Sequence, residues 1–158
     1  MCCGSDDGTQ DRVRVFSLDG SPLGTIIYDI KGQPIFSCAH NVTVSPCGNK
    51  VYVTDSYKDV IILDRQHQVV GDVQHCHDGT PSARGICFLA DENLLVTQPT
   101  DHCQNFLHMS KDGKVHGVVH KVEGGGFWNI HAIGFDRKNR RVIVATNMKN
   151  TISVYDLM

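Results

Sequence analysis

The sequence has no surplus of one charge, no long apolar run, no paired cysteines, no sustained helical period and almost no glutamate. Lys plus Arg number 15 and Asp plus Glu 17, a formal charge of −2. That excludes a strongly basic nucleic-acid-binding domain, though not a local basic patch. The longest apolar runs are four or five residues, as in Val60-Ile61-Ile62-Leu63, whereas a membrane helix needs roughly 20. Met1-Cys2-Cys3-Gly4-Ser5-Asp6-Asp7 lacks the basic and apolar regions of a secretory signal, so a cytoplasmic chain is expected. The cysteines number 7, an odd and scattered set without a C-x-x-C pair, and most read as small buried apolar residues. There is no G-x-S-x-G elbow, no phosphate-cradling glycine loop and no H-E-x-x-H, so the expectation is a protein that is not an enzyme.

What the chain does have is a repeat. Phe16–Gly24, Leu63–Gly71 and Met109–Gly117 align without a gap, each an apolar residue, a polar turn and a closing glycine; the glycines are 47 and 46 residues apart. A short β-rich run precedes each turn (Arg12–Phe16, Val60–Leu63, Phe106–Met109), and Thr151–Tyr155 opens a further copy. Upstream lie two more sets of runs. One is Asn41–Val44, Gly85–Phe88 and Ala132–Phe135; the other is Val51–Thr54, Leu94–Thr97 and Val142–Ala145. One unit is therefore four antiparallel strands, A-B-C-D, in about 46 residues, the size of a β-propeller blade. The fold class expected is all-β, an open arc of four-stranded antiparallel blades. Residues 1–10 are expected to be disordered. Residues 11–30 give strands C and D of a first blade, 38–74 a second, 83–122 a third and 130–158 an incomplete fourth. Apolar faces at the ends of such an arc predict self-association.

The B–C pattern Val51-Tyr52-Val53-Thr54-Asp55-Ser56-Tyr57-Lys58-Asp59-Val60-Ile61-Ile62-Leu63-Asp64 resembles the NHL repeat. Arg12–Gly20 looks like the second half of one, and Val142–Asp156 matches more loosely. The copy at Val96–Cys103 departs most and lacks the aspartate. The resemblance implies a six-bladed parent ring of the kind found in tripartite-motif proteins, and a platform for protein or single-stranded RNA. With no C-x-x-C pair the chain holds no RING or B-box zinc module; it would be at most the substrate-recognition part of a ubiquitin ligase. The enzymatic alternative is a divergent propeller hydrolase of the gluconolactonase type. Such enzymes set carboxylates around a central metal, whereas here only Glu92 and Glu123 occur, and neither starts an inner strand.

At or just before each A strand stands a basic or imidazole residue: His40, Arg84 and His131, 44 and 47 residues apart. Donors repeated around a channel point to phosphate or acidic side chains; the plainer alternative is bonding to neighbouring loops. The B–C loops on the same side add Tyr57, Lys58, His102, Asn147 and Lys149. Tyr57 and Lys58 are suited to stack on a base and meet a phosphate, or to form an ordinary solvated turn in which Asp55 satisfies backbone donors. In His75-Cys76-His77 adjacent residues of an extended chain point opposite ways, and two ligands do not close a zinc site. No metal and no cofactor are expected. Arg137-Lys138-Asn139-Arg140-Arg141 is a solubilising turn or an anionic-partner patch. Trp128, after Gly124–Gly126, packs between blades or anchors a partner. Acylation at Cys2-Cys3 would need a second lipid signal for stable anchoring.

Overall fold

The computed structural model describes residues 2–4, 10–73, 82–100, 103–123, 130–146 and 151–156. Among them are fourteen strands in four antiparallel sheets. The first sheet is β1 (Cys2–Gly4), β2 (Arg12–Phe16) and β3 (Pro22–Ile26). The second is β4 (Ala39–Val44), β5 (Val51–Asp55), β6 (Asp59–Leu63) and β7 (Val69–Val73). The third is β8 (Ile86–Phe88), β9 (Leu94–Pro99), β10 (Cys103–Met109) and β11 (Val115–Glu123). The fourth is β12 (Ile130–Asp136), β13 (Arg141–Thr146) and β14 (Thr151–Asp156). Each sheet runs in sequence order, as meandering blades do. The chain is an open β-propeller arc, and no helix among the described residues is long and apolar enough to cross a membrane.

Near the start of the chain Cys2–Gly4 form β1, with Cys2 opposite Arg14 and Gly4 opposite Arg12. Backbone pairing to the edge of β2 orders this piece, and three residues are too few to show an apolar pattern.

Three apolar layers hold the four sheets together. Val13, Ile26, Phe36, Val53 and Leu63 fill the first, between sheets one and two. Tyr52, Ile62, Ile86, Leu94 and Leu107 fill the second, and Leu95, Phe106, Val142 and Val144 the third. The middle sheets are covered on both faces, so every residue of β5 and β6 is buried and the strand reads as a continuous run, Val60-Ile61-Ile62-Leu63. Burying one such side chain contributes about 1.5–3 kcal/mol. Tyr52 joins two blades: its ring meets Phe88 edge-on at 5.3 Å, and its hydroxyl donates to Lys111 O at 2.8 Å. Burial, chiefly, pushes that phenol up to about 12.

The repeated turns share one geometry. Gly20, His67 and Gly113 occupy equivalent positions with φ of 87, 61 and 89°. Their amides donate to Ser17 O, Asp64 O and Ser110 O at 3.1, 3.0 and 2.9 Å. A ladder irregularity follows at each site, between Val15 and Phe16, Ile62 and Leu63, and His108 and Met109. A left-handed residue followed by a bulge is a common hairpin closure, and glycine takes that conformation without a Cβ penalty.

Candidate functional site

A β-bulge marks the start of each inner strand. In β4 the register shifts between Ala39 and Asn41, leaving His40 as the extra residue. In β12 it shifts between Ile130 and Ala132, leaving His131. Before β8, the Arg84 amide donates to Thr97 O and the Thr97 amide to Gly85 O, both at 2.9 Å, so two residues face one. Bulges re-aim a side chain out of the ladder, which is why these three positions carry polar residues inside an otherwise apolar repeat. Their spacing was visible in the sequence; the bulge behind it was not.

Threonine fixes the bulges. Thr54 Oγ1 accepts from the Asn41 amide at 3.0 Å and donates to Arg84 O at 2.6 Å. Thr97 Oγ1 accepts from the Gly85 amide at 2.8 Å. Gly85 admits no side chain, because a Cβ there would lie 2.8 Å from Ile133 Cγ2. Sequence reasoning also missed how far the aspartates reach. Asp55 is fully buried. Its Oδ1 accepts from the Tyr57 and Lys58 amides at 2.9 and 3.2 Å, as a turn-stabilising aspartate should. Its Oδ2 accepts from the Ser37 and Cys38 amides at 2.7 and 2.9 Å. Asp59 and Asp11 act alike, accepting from the Ser82 amide at 2.8 Å and the Ala39 amide at 2.7 Å. These carboxylates hold the loops that present His40 and Arg84.

The side chains of His40 and Arg84 meet. Arg84 Nη1 is 3.2 Å from His40 Nδ1 and 2.5 Å from Nε2. A guanidinium has no acceptor, so the imidazole accepts through an unprotonated nitrogen. Ser56 Oγ lies 2.6 Å from His40 Nε2 and Cys38 Sγ 3.6 Å from it. No carboxylate pairs with Arg84 among the described residues, and its Nε is buried without a hydrogen-bond partner. A buried donor left unmade costs about 1–3 kcal/mol. Among Arg84, His40, Ser56 and Cys38 the guanidinium is the one permanent charge.

Other sequence-derived candidates fare differently. Tyr57 is 71% exposed on the same turn as Ser56. Lys58 is engaged: its Nζ donates to Ile35 O at 2.7 Å, bracing the loop ahead of β4. His131 lies in β12, but its side chain, with His102, Asn147 and Lys149, falls outside the described residues, as do His75, Cys76, His77 and Trp128. Glu92 sits in an exposed turn, 3.7 Å from Lys111 Nζ. Among the described residues no three of His, Cys, Asp and Glu gather as metal ligands.

The chain was compared with known proteins. No family model matches it, and no curated protein does. Solved structures do. Kuenenia stuttgartiensis hydrazine synthase superposes with a TM-score of 0.54 at 18% identity, over 80% of this chain and 36% of that one. The β-propeller domain of Myceliophteria thermophila Cps50 (Swd1) superposes with a TM-score of 0.50 at 10% identity, over 75% of this chain and 37% of that one. At these identities the likeness concerns the fold, and the chain spans little more than a third of either structure.

Proposed function

We propose that the chain is a non-catalytic interaction module, of the NHL type its B–C pattern resembles, which receives an acidic segment of a partner protein at the Arg84–His40–Ser56 cluster. The observation that carries this reading is the Arg84 guanidinium, set against His40 of the neighbouring blade with no carboxylate facing it among the described residues. A charge of −2 favours a carboxylate partner over single-stranded RNA, whose affinity draws on many neutralised phosphates. The cluster holds one guanidinium, and Lys58 is tied to backbone oxygens. The exposed Ile152 and Val154 of the fourth sheet support self-association as a second property. The test is fluorescence anisotropy with a labelled decaglutamate peptide and a labelled decauridylate. Saturable binding of the peptide, weakened about ten-fold or more by Arg84→Glu, is the expected result. Tighter binding of the RNA, or peptide affinity indifferent to Arg84→Glu, would overturn it.

A further inference from the structure

A cleft of about 510 Å3 opens between the third and fourth sheets, at the strand ends remote from Arg84. The third sheet extends to β11, whereas the fourth has β14 as its last strand among the described residues; β10 is largely buried, and β11 beside it is largely exposed. The floor is apolar, built of Leu95, Phe106, Phe135, Val142 and Tyr155. Phe106, His120 and Tyr155 form an aromatic triad, with ring centroids 5.6, 5.6 and 5.2 Å apart. Clefts of roughly 300–1,000 Å3 with a mostly apolar lining and a few polar groups are typical small-molecule sites.

The charges at the mouth decide the class of ligand. Of the two carboxylates, one is paired with a cation and the other is held by an uncharged side chain. Asp156 Oδ1 accepts from Arg141 Nε at 2.8 Å. Asp91 accepts from the Asn93 amide and side chain at 3.0 and 2.8 Å, with His108 Nε2 at 3.7 Å. Arg140 is exposed and lines the cleft, and no ion pair engages it among the described residues. Arg140 is therefore the cation of the lining that no carboxylate engages among the described residues, while Asp91 is held by Asn93, and a guanidinium grips planar oxyanions through two parallel N–H donors. We propose that this cleft binds a small amphipathic anion, an aromatic carboxylate whose ring lies on the Phe106–Tyr155 floor and whose oxygens meet Arg140. This site is separate from the Arg84 cluster and does not depend on its role.

Calorimetric titration of the whole 158-residue protein tests it, with 2-naphthoate, 2-naphthalenemethanol and 2-naphthylmethylammonium as probes. Naphthoate should bind saturably and at least about ten-fold tighter than the ammonium probe, the margin of one charge-assisted pair. Arg140→Gln, in an exposed turn, should bring the three probes within about two-fold of one another while the alcohol's affinity holds. Ala90→Trp, also in an exposed turn of the lining, should abolish all three. Arg84→Glu should leave naphthoate unaffected. The proposal is overturned if the ammonium probe binds as tightly as the carboxylate, or if Arg140→Gln preserves the preference. It is equally overturned if Arg84→Glu removes naphthoate binding, or if the folded protein, checked by circular dichroism, binds no probe saturably.

Discussion

Replacing Asp55 with alanine should loosen the loop that presents His40 before it touches anything else. The carboxylate is fully buried and accepts from four backbone amides, two in its own turn and two across at Ser37 and Cys38. The Tyr57 and Lys58 amides belong to a turn at the surface and can turn to water. The Ser37 and Cys38 amides lose an ionised acceptor, worth roughly 1.5 kcal/mol each at the low end for bonds to charged groups, or about 3 kcal/mol together. For a chain of this size about 2–4 °C of Tm accompanies each kcal/mol, so differential scanning calorimetry should read a drop of about 6–12 °C. Asp55→Asn keeps the shape but turns an NH2 toward one pair of donors, and a comparable loss is expected. A fall of under about 2 °C in both variants would refute the idea that this carboxylate anchors the loop.

Two further outcomes follow from local geometry. His67 holds a left-handed φ of 61° where the equivalent turns have Gly20 and Gly113; relief of about 1–2 kcal/mol of strain, less about 0.5–1 for glycine's lost entropy, makes His67→Gly stabilising by about 0.5–1 kcal/mol in urea unfolding. Cys47 is exposed, and the Ser45 hydroxyl, then the Asn49 amide, draw its thiol below the usual range, whereas burial pushes Cys87 up to about 12. Mass spectrometry after brief iodoacetamide treatment at about pH 8 should find Cys47 alkylated and Cys87 intact, because only about one Cys87 in ten thousand is then a thiolate; early labelling of Cys87 would contradict this.

What could be read before the structure was whatever the backbone decides locally. The polar C–D turns are self-contained, so their repeat located the strands. The identity of His67 concealed nothing, because a left-handed turn position tolerates a residue other than glycine at modest cost. β1 escaped notice because three residues, Cys2-Cys3-Gly4, are too few to show a strand pattern. At the candidate site, spacing marked His40, Arg84 and His131 as equivalent, yet nothing in the sequence says that Arg84 rests on His40 or that Lys58 folds back onto Ile35 O. The second half of the Asp55 contact was hidden for the same reason, since its donors lie seventeen and eighteen residues away. The cleft beside Arg140 is less legible still: its lining comes from two blades together.

The two ends of the arc differ in a way that governs how it associates. On the fourth sheet, Val142 and Val144 face the third core layer, so the alternate residues face out: Ile143 opposite Val154 and Ala145 opposite Ile152. Ile143, Val154 and Ile152 are 40, 55 and 72% exposed. On the first sheet, Val13 and Val15 face inward, and the outward positions of β2 are Arg12, Arg14, which stands opposite Thr25, and the exposed Phe16. A head-to-tail contact would set isoleucine and valine against a mixed face of arginine and phenylalanine, a poorer match than a second apolar face. A like-to-like contact covers apolar surface with apolar surface and closes on a two-fold axis. Sedimentation velocity should therefore show a monomer–dimer equilibrium that goes no further. Ile152→Lys with Val154→Lys should abolish it while shifting Tm by no more than about 2 °C, because both side chains are exposed in the monomer. Species larger than the dimer, or dimers that survive the double substitution, would show that the open face of the fourth sheet is not what drives association.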